Sequence, residues 1–71
     1  MKTFDPASIA TRRKKLHKTQ QDLAKETGLS STAIYYIEKG RKVPRATTLG
    51  KIANALRCRV EYFFVSGTNN R

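Results

Sequence analysis

Apolar and small residues recur at intervals of three or four along most of the chain, the spacing that places side chains on one face of an α-helix. Polar residues or a glycine bound each group. The groups are Leu23, Ala24 and Thr27; Ile34 and Ile37; and Leu49, Ile52, Ala53 and Leu56. We expect each group to form the buried face of one helix. The pattern therefore predicts a small helical domain with one core.

The run from Thr19 to Gly40 carries start and stop signals for two short helices. Thr19 stands three residues before Asp22, as in a capping box, in which each side chain covers a free backbone N–H. Gly28 supplies the positive φ that a tight turn requires. Ser30 is a good N-cap for the second helix, which ends at Gly40. Two helices joined in this way predict a helix-turn-helix, an element with which proteins read DNA.

A first helix is predicted before this motif. Asp5 is its expected cap and Pro6 its first residue, and the helix runs to about His17. Phe4 and Ile9 occupy the two positions of a hydrophobic staple, in which one apolar side chain on each side of the cap packs against the other.

Two further helices are predicted after the motif. The fourth runs from about Ala46 to Leu56, and Gly50 lies inside it at a cost of about 1 kcal/mol. We therefore expect another helix to approach Gly50 closely. A short fifth helix is expected over residues 60–65, with Val60, Phe63 and Phe64 closing the core. The polar tail, residues 66–71, is expected to fray.

At these residues the chain resembles the phage repressor and Cro-like (XRE-type) helix-turn-helix family. The matching segments are TQQDLA, GLS, IYYIEKG and VPRATTLGKIANAL, and the resemblance covers about residues 9–64. It implies an all-α fold, a compact five-helix bundle that binds double-stranded operator DNA. The whole chain, 1–71, is then expected to be a single domain with a core spanning about residues 5–65.

Charge and composition narrow the function further. Fifteen Lys and Arg against five Asp and Glu give a net charge of +10, which favours a polyanion as partner. One His, one Cys and singly placed glycines provide no metal-ligand set and no phosphate-binding loop, so we expect no enzyme activity and no cofactor. His17 is expected on the surface, and Cys58 as a small apolar plug.

The expected location is the cytoplasm, in association with the nucleoid. A single cysteine, Cys58, forms no internal disulfide, which fits a reducing compartment. The sequence has neither a signal-peptide pattern nor an apolar run long enough to span a bilayer, so no membrane association is expected.

Helical phase selects the candidate DNA contacts. With Ile34 and Ile37 inward, outward positions near the start of the second motif helix should read bases; these are Ser31, Thr32, Tyr35 and Tyr36. For one of the two tyrosines, the alternative is packing against a neighbouring helix. Phosphate contacts are expected at helix ends and in the loop after this helix, from Gln20, Lys39, Arg41, Lys42 and Arg45.

A second basic group lies on and after the first helix. It comprises Arg12, Lys14, Lys15 and Lys18. Because the resemblance places much of this surface away from DNA, we expect it to add only a long-range field. Arg13 is different, since it falls inside the apolar stripe of the first helix, which is Ile9, Ala10 and Leu16. Glu38 likewise lies beside Ile34 and Ile37 on the inward face of the third helix. Opposite charges on two apolar faces predict an internal ion pair, and family members carry Arg and Glu at these positions.

Related repressors bind as two-fold pairs through the region between their last helices, which here reads Arg57-Cys58-Arg59-Val60. Arginines facing their symmetry mates repel each other, so we expect a weak homodimer that forms on DNA. The chain is predicted to be a sequence-specific transcriptional regulator, a repressor of phage or mobile-element type in a prokaryote. Two alternatives stay open: an antitoxin-like protein-interaction module that also binds DNA, and a non-specific nucleic-acid binder.

Overall fold

The computed structural model describes residues 2–66 and is mostly helical. The elements are β1 (Lys2–Phe4), α1 (Ala7–Lys15), α2 (Gln20–Thr27), α3 (Ser31–Glu38), α4 (Ala46–Ala55), a 3₁₀ helix (Val60–Phe63) and β2 (Phe64–Ser66). Helices α2 and α3, joined by a three-residue turn, form the predicted helix-turn-helix. Helix α4 packs on α2, and α1 packs on α3. No helix within residues 2–66 is long and apolar enough to cross a bilayer.

The all-α helix-turn-helix fold is confirmed, but the predicted fifth helix over residues 60–65 is shorter than expected and is not an α-helix. Val60–Phe63 form a single 3₁₀ turn, after which the chain is extended and pairs antiparallel with β1, with Phe64 opposite Phe4. The two rings lie 5.8 Å apart, and the Asp5 N–H donates to the Phe63 carbonyl at 2.7 Å. Aromatic and β-branched residues in this run favour a strand once a partner strand is present. Ser66, expected in the frayed tail, belongs to β2, and residues 67–71 lie outside the described residues.

One hydrophobic core joins the helices. The stripes predicted for the second, third and fourth helices are buried, whereas Ala10 and Leu16 of the first helix are only partly buried. The seven largest fully buried side chains are Phe63, Ile9, Leu23, Ile34, Ile37, Ile52 and Leu56. Burial of each contributes about 1.5–3 kcal/mol of transfer free energy. Phe4, Val60 and Phe64 are partly buried against this core, and so is Cys58. Burial raises the pKa of the Cys58 thiol, which therefore stays protonated at neutral pH.

The helix ends of the motif follow the predicted chemistry. The Asp22 N–H donates to the Thr19 hydroxyl at 2.9 Å, and the Thr19 N–H donates to the Asp22 carboxylate at 2.8 Å, which completes the capping box. This backbone bond, more than any other contact, lowers the pKa of Asp22. The Ser30 hydroxyl accepts from the Ala33 N–H at 3.0 Å. These local contacts set where α2 and α3 begin.

Helix α1 is shorter than predicted. It begins at Ala7 with Pro6 as its N-cap, so the prediction of Asp5 as the cap and Pro6 as the first helical residue is wrong by one position. The Asp5 carboxylate nevertheless accepts from the Ala7 N–H at 3.2 Å. The helix ends at Lys15, because Leu16 leaves helical geometry and His17 takes a left-handed φ of 58°. His17 is exposed, as predicted.

Gly28 and Gly50 differ in their backbone conformation. Gly28 has a φ of +76° at the end of α2, the left-handed conformation predicted for the turn. Gly50 lies inside α4, and a Cβ atom built there meets nothing within 4 Å. The expectation of a closely packed helix at Gly50 is therefore wrong.

Alanine substitution at these two glycines should change stability in opposite directions. A Cβ atom is sterically free at both positions, so only the backbone conformation distinguishes them. Gly50→Ala should raise the free energy of unfolding by about 1 kcal/mol, because alanine is the better helix former. Gly28→Ala should lower it by about 1 kcal/mol, because alanine is strained at positive φ. Urea denaturation of both variants measures this, and a destabilised Gly50→Ala would contradict the free space at α4.

Candidate nucleic-acid interface

Helix α3 has a polar and aromatic face opposite its buried one. Ser31 and Thr32, the first two residues of the helix, are exposed, and neither hydroxyl has a hydrogen-bond partner within residues 2–66. Tyr35 and Tyr36 follow one turn later and are 42% and 41% exposed. An α-helix with its side chains is about 10–12 Å in diameter. It therefore fits into the DNA major groove, which is about 12 Å wide.

The two tyrosines have different neighbours. Their rings meet edge to face at 5.6 Å. The Lys39 ammonium lies 5.7 Å from the centre of the Tyr35 ring, and Tyr35 also lines a cleft against α1 together with Ala7 and Ala10. Tyr35 is therefore the tyrosine that lies beside α1. The two tyrosines are nevertheless exposed to nearly the same extent, so both stay candidate base contacts with Ser31 and Thr32.

Cationic side chains surround the C-terminal end of α3. Lys39 follows the last residue of the helix, and the loop after it exposes Arg41, Lys42 and Arg45. None of these four has a carboxylate partner within the described part of the chain. The Arg41 N–H donates to the Tyr36 carbonyl at 2.9 Å, which holds the loop against α3. The loop thus presents a concentrated positive charge beside the exposed helix face.

Two features of this surface were missed in the sequence. The Val43 side chain, which lies between the loop cations, is 80% exposed. Nothing in the sequence indicates that this apolar residue belongs to the surface. Lys14 lines the same cleft as Gln20, Tyr35 and Lys39. The basic group on and after α1 is predicted to add only a long-range field, but its members have different surroundings in the structure.

The structure gives Arg12 and Lys18 specific partners. Arg12 donates to the carbonyls of Leu56 at 2.9 Å and Arg57 at 3.0 Å, and its guanidinium lies 5.6 Å from the Tyr62 ring centre. These bonds support Arg57, which has a left-handed φ of 56°. Lys18 bonds Glu26 at 2.6 Å and the Ala55 carbonyl at 3.0 Å. Arg12 therefore links α1 to the end of α4, and Lys18 links the segment after α1 to α2 and α4. Lys14 and Lys15 are exposed and have no such partners among residues 2–66.

Gln20 connects the start of α2 to a buried ion pair. Its side-chain amide donates to Glu38 Oε1 at 3.0 Å. Arg13 Nε and Nη2 donate to Glu38 Oε2 at 2.8 Å and Oε1 at 3.1 Å, and Arg13 Nη1 donates to the Lys18 carbonyl at 2.8 Å. The charged side chains are only 10% and 5% exposed. This network fixes α1, the start of α2 and the end of α3 relative to one another.

The start of α2 also presents free backbone donors. The capping box satisfies the N–H of Thr19 and Asp22, whereas the N–H groups of Gln20 and Gln21 have no acceptor among the described residues. Exposed N–H groups at a helix N-terminus attract anions, and the helix dipole adds to this attraction.

Negative charge is nearly absent from the face formed by α3 and the following loop. Glu38 is the only acidic residue between positions 27 and 60, and it is buried against Arg13. Within residues 2–66, no group of three or more His, Cys, Asp or Glu side chains is arranged to hold a metal ion. The surface therefore combines unpaired cations, free hydroxyls and aromatic rings, the set of groups that contacts phosphates and base edges.

A model of the helix-turn-helix family (HTH_3) matches residues 9–63. The chain belongs to this helix-turn-helix family. As a family member it is a DNA-binding regulator of transcription. No curated protein sequence matches the chain significantly.

Solved structures support the family assignment. The P22 c2 repressor in complex with a synthetic operator is 34% identical to this helix-turn-helix protein, with a TM-score of 0.78 over 86% of this chain and 94% of the repressor chain. The solution structure of the P22 c2 DNA-binding domain gives 33% identity and a TM-score of 0.81, covering 86% of this chain and 80% of that one. A transcriptional regulator from Vibrio cholerae is 29% identical, with a TM-score of 0.76 over 82% of this chain and 33% of its own.

Proposed function

We propose that this helix-turn-helix protein is a sequence-specific repressor of phage or mobile-element type that acts on double-stranded operator DNA in a prokaryotic cytoplasm, at the nucleoid. The observation that carries the proposal is the exposed face of α3, which presents Ser31, Thr32, Tyr35 and Tyr36, whereas Glu38, the one acid of the helix, is buried. In this proposal, that face enters the major groove and contacts base edges.

Phosphate contacts hold the protein in register on the duplex. Gln20 contacts one backbone position with its amide and the neighbouring free N–H groups. Lys39, at the end of α3, and Arg41, Lys42 and Arg45, in the loop that follows, also contact the backbone. The likeness to the P22 c2 repressor, which is described in complex with a synthetic operator, supports operator DNA as the partner.

A weak homodimer that assembles on DNA completes the proposal. The loop between α4 and the 3₁₀ helix exposes Arg57 and Arg59, and the Arg12 guanidinium lies against the same loop. No carboxylate within residues 2–66 pairs with either loop arginine. Two such loops facing each other repel in solution. DNA reduces this repulsion, because its phosphates neutralise positive charge and two half-sites hold the protomers together.

Selection of bound duplexes from a random pool tests the function. We expect an enriched sequence with two related half-sites whose centres lie about 10 bp apart. On the selected site, log K should fall linearly with log salt concentration, by about 0.9 for each phosphate neutralised. Binding without enrichment would support the non-specific alternative. A salt slope near zero would contradict the electrostatic model and favour a protein-interaction module.

A further inference from the structure

A cleft of about 340 Å³ opens where α1, the start of α2 and the end of α3 meet. Arg13 and Glu38 lie at its buried side, and polar or cationic side chains from all three helices surround its opening. The lining residues are Ala7, Ala10, Arg13, Lys14, Gln20, Tyr35, Glu38 and Lys39. The cleft therefore joins two predicted phosphate-binding residues, Gln20 and Lys39, to a lysine on α1.

On the buried side of this cleft, Arg13 and Glu38 together carry no net charge, and both carboxylate oxygens accept hydrogen bonds. Glu38 Oε2 accepts from Arg13, and Glu38 Oε1 accepts from both Arg13 and Gln20. The guanidinium cancels the carboxylate charge at a distance of 2.8 Å. Glu38 consequently repels an incoming anion only weakly, and its bond to Gln20 holds the amide at the opening. One of the two amide hydrogens of Gln20 remains free to donate.

The opening of the cleft carries two uncompensated positive charges. Neither Lys14 nor Lys39 has a carboxylate partner within residues 2–66. The Tyr35 ring holds the Lys39 ammonium at 5.7 Å. Two lysines and one amide donor thus line a single cleft, and groups of these kinds bind the oxygens of a phosphodiester group. Lys15, the next residue of α1, does not line the cleft.

We propose that Lys14 is a direct phosphate contact, which together with Gln20 and Lys39 binds one phosphodiester group of the operator backbone. The inference rests on the proposed function, because it places this phosphate beside the groove that α3 enters. Glu38 acts as a positioning residue that orients the Gln20 amide. The contact extends the DNA-binding surface from the helix-turn-helix onto α1.

Glutamine substitution at Lys14 and at Lys15 provides a matched test. Both lysines are exposed on α1, and each change lowers the net charge from +10 by one. Lys14→Gln should reduce the salt slope on the selected operator by about 0.9, the value for one phosphate contact. Lys15→Gln should leave the slope unchanged, and Lys14→Arg should restore it. Ethylation interference should show one operator phosphate whose modification weakens binding of Lys14→Gln less than binding of the wild-type protein and of Lys15→Gln.

The outcomes separate this proposal from the function on which it rests. Equal salt slopes for Lys14→Gln and Lys15→Gln, with wild-type binding intact, would mean that Lys14 acts only through its field and would overturn the inference. Wild-type protein that binds no duplex in a salt-dependent manner would instead overturn the proposed function. Thermal melting of both variants should match the wild type, since neither lysine has a partner within the described residues.

Discussion

Glu38→Gln should lower the free energy of unfolding by about 3–5 kcal/mol, because it leaves the buried Arg13 charge without its counter-ion. The new amide also turns an N–H₂ group toward the guanidinium donors, which previously met two carboxylate oxygens. A domain of 71 residues has roughly 4–11 kcal/mol of stability in total. The melting temperature should therefore fall by more than about 12 °C.

Glu26→Gln is the matched control for this prediction. Both substitutions remove one carboxylate that pairs with a cation, and both raise the net charge by one. The Glu26 side chain is 42% exposed, whereas that of Glu38 is 5% exposed. An exposed pair contributes only about 0–1 kcal/mol. Because the two carboxylates differ in burial, Glu26→Gln should lower the melting temperature much less than Glu38→Gln does.

A double variant tests whether the loss comes from the unpaired charge. Arg13→Met with Glu38→Leu removes both charges and keeps similar volumes, so it should recover most of the stability that Glu38→Gln loses. Melting of Glu38→Gln within about 2 °C of the wild type would contradict the prediction. That result would mean that the Arg13 side chain reaches solvent when its partner is removed.

Short-range signals made much of the fold predictable from the sequence. The capping box of Thr19 and Asp22, the left-handed Gly28 and the Ser30 cap each depend on residues within four positions of one another. The buried stripes follow from helical phase in the same way. Such features are visible in a sequence because the chain supplies all the interacting groups locally.

Features that depend on distant residues were not predictable in this way. The strand pair joins Lys2–Phe4 to Phe64–Ser66, and residues 64–65 taken alone read as the end of a helix. The basic residues on and after α1 look equivalent in the sequence, because they differ only in the groups that they contact in the folded protein. Arg12 meets carbonyls at the end of α4, and Lys14 meets the cleft beside Gln20. Helical phase gives the direction of a side chain, but only the packed structure gives its partner.

Base-reading and backbone-holding residues should respond differently to alanine substitution. Thr32→Ala and Tyr36→Ala remove exposed groups of α3 that we propose contact base edges. Each should reduce the preference for the selected operator over scrambled DNA by about 1–3 kcal/mol. Non-specific binding and the melting temperature should stay nearly unchanged, because neither side chain belongs to the buried core.

Arg41→Ala should instead weaken binding to every sequence about equally. Arg41 is exposed in the loop that its own N–H anchors to the Tyr36 carbonyl, and this anchor survives the loss of the side chain. A phosphate contact carries no sequence information, so its loss should reduce the salt slope by about one unit and leave the preference intact. Binding of each variant to selected and scrambled duplexes across a salt series measures both quantities. If Tyr36→Ala and Arg41→Ala lose affinity in the same pattern, the assignment of roles is wrong, and if neither affects binding, α3 does not enter the groove.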